Sequence, residues 1–222
     1  MTIGDFLSMP WHQGWNPVPD AAWMALLADR WATFPARAQP RPIVLVAEAE
    51  HVPGFATDET KIAWVQERDS APTTASPDPA PFATDRGPQL LPCVHVAAAG
   101  ALGTITRADL SKVDVWSPTG RPSDEHWYSA VEATSDPADP LVLKWRFVGS
   151  PEAYTDYPDA EVMETATAVV VIPRPVERPG TGARRSSAQT REVAAQLQSP
   201  IGGRVLLEVY GRAAVLLSLI HI

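Results

Sequence analysis

The run Leu141-Val142-Leu143-Lys144-Trp145-Arg146-Phe147-Val148 decides how this chain is read, because its side chains alternate with period two. Leu141, Leu143, Trp145 and Phe147 fall on one side and Val142, Lys144, Arg146 and Val148 on the other, the pattern of a strand with one buried and one wetter face. Outward from it, residues 82–216 repeat the same grammar. Short apolar runs such as LLPCVHVAAA, GTITRADL, KVDVW, AVVVIPR and RVLLEVYG are separated by the turn formers SPTGRPSD, SDPADP, RPGTGARRSS and SPIGG. This region is expected to form an antiparallel sheet or sandwich of short strands.

Upstream the grammar differs. Asp20 is placed to cap a helix over 20–33, in which Trp23, Leu26, Leu27 and Trp31 recur at helical spacing between Pro19 and Pro35. Ile43-Val44-Leu45-Val46 is a continuous apolar run opened by Pro42, as expected of a buried strand. Thr57 then suits the cap of a second helix reaching about Arg68, with Asp58 and Glu59 in its first turn. The fold class expected is therefore α+β. It comprises an N-terminal helix-strand-helix region over 1–69, a proline-rich linker over 70–81 and a β-rich domain over 82–216. The linker reading rests on SAPTTASPDPAP, which has four prolines and no large apolar side chain. Phe55-Ala56-Thr57-Asp58 and Phe82-Ala83-Thr84-Asp85 echo each other, but nothing around them repeats.

Composition narrows the function classes. Hydrophobic residues make up 45% of the 222, enough for a core, while 23 prolines keep regular elements short. A net charge of −8 offers no field for polyanions, so no nucleic acid partner is expected. The single cysteine, Cys93, sits among Leu90, Leu91, Val94 and Val96 and reads as a buried thiol. No stretch is long and apolar enough for a membrane span, and the first residues lack the basic and apolar regions of an export signal. The expectation is a soluble, cytoplasmic protein.

Three stretches together carry a resemblance: RPIVLVAEAEHVPGFATDETKIAWVQ, PFATDRGPQLLPCVHVAAAGALGTITRADLSKVDVWSP, and the tail with LVLKWRFVG, AEVMETATAVVVIPR and QTREVAAQLQSPIGGRVLLEVYGRAAV. Over roughly 42–216 the chain is similar to a group of actinobacterial proteins without an established activity. The resemblance supports the β-rich reading and carries over no catalytic residue. The final Leu217-Ser218-Leu219-Ile220-His221-Ile222 resembles the translated read-through of a sequencing adapter, so 217–222 is expected to be an artefactual tail.

Candidate sites are few. His12, His51, His95 and His126 are scattered without metal-ligand spacing. Glu48, Glu50 and His51 crowd one strand end, yet alternation sends His51 to the face opposite the two glutamates. Gly149-Ser150-Pro151 fails as a nucleophile elbow because proline removes a donor that an oxyanion hole needs. Asp156, Asp159, Glu161 and Glu164 are dense enough for an acid/base pair or a hard-cation site, but the D-x-D/N-x-D/N-G pattern is absent and a solvated hairpin is the preferred reading. Gly180 to Ser187 lacks the ending of a phosphate-binding loop and reads first as an exposed hairpin loop, the alternative being that Arg184 and Arg185 bind an anion or direct phosphorylation at Ser186 or Ser187. Trp11 and Trp15 lie in a Pro/Gly-containing arm and mark an interaction surface if exposed, or core if folded back.

The functional expectation is a non-catalytic β-rich binding or structural module, with a protein or small ligand as partner and no cofactor. The alternative is a small hydrolase built on Asp156 to Glu164, with His126 or His51 brought near by folding.

Overall fold

Period-two patterning dominates the fold of the computed structural model, which describes residues 21–46, 50–51, 73–97, 104–116, 132–179, 189–209 and 211–217. Strand accounts for 48% of the structure and helix for 8%. The chain is mostly β, which corrects the α+β expectation and its helix-strand-helix unit. The first helix does form, as α1 (Ala21–Trp31), and buries Trp23, Leu27 and Trp31 on one stripe. Ile43-Val44-Leu45-Val46 is extended but belongs to no sheet. It makes isolated bridges, Ile43 parallel to Val115 and Leu45 antiparallel to Thr84. Its backbone bonds are divided between two segments, Ile43 with Asp114 and Trp116 and Val44 and Val46 with Asp85 and Ala83, while Val44 N donates to the Asp85 side chain, Oδ1 at 2.9 Å, so no continuous ladder forms on either side. The expected second helix, near 57–68, lies outside the described residues.

The chain divides into two compact units, Pro42–His126 and the pair Met1–Arg41 with Trp127–Ile222. The first contains β1 (Glu50–His51), β2 (Thr73–Ala75), β3 (Ala80–Thr84), β4 (Gly87–Leu91), β5 (Cys93–Ala97) and β6 (Thr104–Ala108). Four of these form a sheet in the order β1-β6-β5-β2, and β3 pairs with β4 as a hairpin. Within the proline-rich stretch 70–81, Thr73–Ala75 is thus an edge strand on β5, exposed throughout. A polar segment with nothing to bury still satisfies its backbone by pairing at an edge. Ile43, Phe82, Leu91, Cys93 and Ala108 form the core of this unit, with Leu45, Val113 and Val115 packed against them.

The second unit holds α1 and β7 (Glu132–Ser135), β8 (Val142–Gly149), β9 (Thr155–Asp156), β10 (Ala160–Glu164), β11 (Ala168–Pro173), β12 (Val176–Glu177), β13 (Gln189–Gln196), β14 (Val205–Leu207) and β15 (Val215–Leu217). One sheet runs β13-β8-β7-β15 and another β10-β11-β14, while β9 and β12 make a short ribbon. Register places Leu143 opposite Ala195 and Trp145 opposite Val193 on the inner face, and Lys144 opposite Ala194 and Arg146 opposite Glu192 on the outer. The inner face meets Val169, Val171 and Leu206 of the second sheet in one apolar core, so this unit is a sandwich. Two pairings depart from the expected antiparallel scheme: β11 with β14 and β15 with β7 are parallel. Leu217 is paired in β15 opposite Thr134, and 218–222 lie outside the described residues.

Every residue of β11 is buried, which explains its unbroken apolar run Ala168-Val169-Val170-Val171-Ile172. Helix α1 is tied to the chain after β14: Trp23 Nε1 donates to the Val209 carbonyl at 2.7 Å. Gly211, at φ +82°, lies against the Leu27 side chain, so a β-carbon there would meet both a strained backbone and an occupied space. Among the described residues no helix is long and apolar enough to cross a membrane.

Candidate functional site

Of the carboxylates singled out in the sequence, Asp156, Glu161 and Glu164 each pair with an arginine. Asp156, in β9, receives a fork from Arg178, which follows β12: Nε to Oδ2 at 2.8 Å and Nη2 to Oδ1 at 2.6 Å. Those hydrogen bonds hold the Asp156 carboxyl below the ordinary aspartate range. Glu161 pairs with Arg174 on the solvated flank of β10. Glu164, three residues on, turns to a different partner set: it accepts from Gln198 N at 2.5 Å, from Arg204 Nη1 at 2.6 Å and from Ser199 Oγ at 3.3 Å. Burial raises the Glu164 pKa, and the bonds from Gln198, Arg204 and Ser199 with the Arg204 charge outweigh it, for a net lowering. Asp159 contributes its backbone carbonyl, which accepts from Arg174 N.

Each of these three carboxylates therefore closes on a different guanidinium. Arg204 also donates to the carbonyls of Ser199, Pro200 and Ile201, binding the turn that leads into β14. Among the described residues no cluster of three or more His, Cys, Asp or Glu side chains could hold a metal ion. His51 is placed on β1, its backbone opposite Thr106, and His126 lies outside the described residues. So do Trp11, Trp15, Arg184, Arg185, Ser186 and Ser187. Cys93 is buried, its Sγ donating to the Asp78 carbonyl at 3.3 Å.

A different surface emerges from the β3–β4 hairpin. Cross-strand partners share a face, and the register pairs Ala80 with Leu91, Phe82 with Gln89 and Thr84 with Gly87, the side that carries Phe82 and Leu91 into the core. The other side is made by Pro81 opposite Leu90 and Ala83 opposite Pro88. Pro81, Pro88 and Leu90 are exposed, Leu90 at 69%, and Ala83 is half-buried. The outer face of this ribbon thus contains only apolar side chains.

The hairpin is rigidly built. Thr84 Oγ1 donates to the Gly87 carbonyl at 2.7 Å and accepts from Arg86 N at 3.2 Å, and Gly87 closes the turn at φ +90°. Asp85 is buried and grips Val44 twice, through Oδ1 and through its own N–H, 2.8 Å from the Val44 carbonyl. Each residue of Phe82-Ala83-Thr84-Asp85 therefore has a defined place: core, outer face, turn and clamp.

Sequence reasoning missed this face although the signal was present. In PFATDRGPQLL the positions alternate Pro81, Ala83 against Phe82, Thr84, and Pro88, Leu90 against Gln89, Leu91. Pro81 lay at the end of the supposed connector, and the run from Leu90 onward read as a separate strand, so the two halves were never placed opposite each other. Comparison with protein-family models, with curated proteins and with solved structures finds no match to this chain.

Proposed function

We propose that the chain is a non-catalytic binding module that presents the outer face of the β3–β4 hairpin to a partner protein. The observation that carries this reading is the contiguous face of Pro81, Ala83, Pro88 and Leu90. A single exposed leucine is ordinary, whereas apolar side chains filling one face of a two-stranded ribbon are not. The two prolines fix the backbone in advance, which lowers the entropy lost on association, and Pro88 removes a donor from β4. Contact would run through side chains. A ribbon face is a ridge, whereas small-molecule sites are concave, so a protein surface suits it better than an enclosed ligand.

Cytoplasmic placement belongs to the same proposal and is supported by the lone, buried Cys93. A partner other than nucleic acid is supported by the net charge of −8. Kinship with the actinobacterial group rests on the segments quoted above.

A photo-reactive side chain at position 88 tests the reading. It should give a discrete protein adduct in cells, and Leu90→Lys should remove that adduct while changing stability by no more than about 0.5 kcal/mol. No adduct, or an adduct indifferent to Leu90→Lys, would overturn the proposal, as would a variant that fails to fold.

A further inference from the structure

No further inference is drawn: the strongest candidate, the open face of the β13-β8-β7-β15 sheet around Lys144, Arg146 and Glu192, is an unpartnered sheet face, and nothing in the structure shows what covers it.

Discussion

The sandwich strand β8 and the hairpin β3–β4 obey the same alternation and end with opposite surfaces. Along β8, Leu143, Trp145 and Phe147 are buried while Lys144 and Arg146 are exposed. The exposed side chains find ion partners, Arg146 with Glu132 at 3.3 Å and Lys144 with Asp136 at 3.8 Å. In the hairpin the inner side buries Phe82, Leu91 and Thr84, but the outward positions are Pro81, Ala83, Pro88 and Leu90. Burial on one face makes a strand; the chemistry of the other face separates a solvated sheet from an adhesive one. The rim charges of β8 are too exposed for their pairs to add much stability, so their main effect is to keep that face wet.

The comparison is most sharply broken at the core of β8. Trp145→Ala should cost about 3–5 kcal/mol, because a fully enclosed indole leaves a cavity that sheets on both sides cannot collapse into. Urea denaturation would measure it; a loss below about 1 kcal/mol would mean the sandwich core is not packed as described.

Next in size is the nearly enclosed ion pair of Glu164 and Arg204, side chains 9% and 10% exposed. Glu164→Gln should destabilise by about 2–4 kcal/mol at neutral pH, since it strands the Arg204 guanidinium among carbonyls. The sign with pH follows from the lowered carboxyl. The stabilisation is complete above the unfolded glutamate value of 4.5 and is lost as pH falls through the lower folded value. Wild type should therefore approach the variant in stability as the solution is acidified below about pH 4. A gap between them that stays constant from pH 7 to pH 3 would refute the role given to this carboxylate.

In the hairpin unit, Asp85→Ala removes the acceptor for the Val44 N–H and should cost about 1–3 kcal/mol. Amide hydrogen exchange at Val44 offers a local readout, and protection unchanged from wild type would argue against the clamp. The smallest stability effect is expected at the surface: Leu90→Lys and Lys144→Ala should each stay within about 0.5 kcal/mol. They differ in association, where only the first should matter. A large stability loss at Leu90 would reclassify the outer hairpin face as core.

Much of the second unit was legible because period two survives any arrangement of neighbours. Leu143, Trp145 and Phe147 had to share a face whichever strand lay beside them. Helix α1 was legible for the same reason, its apolar spacing being local. The stretch Ile43 to Val46 reads as a buried strand because a continuous apolar run carries no period; its bonds go to Ala83, Asp85, Asp114 and Trp116, far along the chain, and no local pattern announces them. The carboxylates were misleading in the same way. Asp156, Glu161 and Glu164 crowd together along the chain, yet their partners are Arg178, Arg174 and Arg204.

By itself, then, the order of residues determined which side chains must point the same way, that a single cysteine cannot form an internal disulfide, and that the chain is rich in turns. Tertiary structure alone decided which strands became neighbours, that α1 belongs with the C-terminal sandwich, and that β14 and β15 run parallel to their partners. Side-chain direction is a local consequence of backbone geometry, whereas strand partnership depends on distant surfaces competing to be buried. The apolar hairpin face joins the two levels: its composition is written in PFATDRGPQLL, and its existence as one surface required β3 and β4 to pair in a single register.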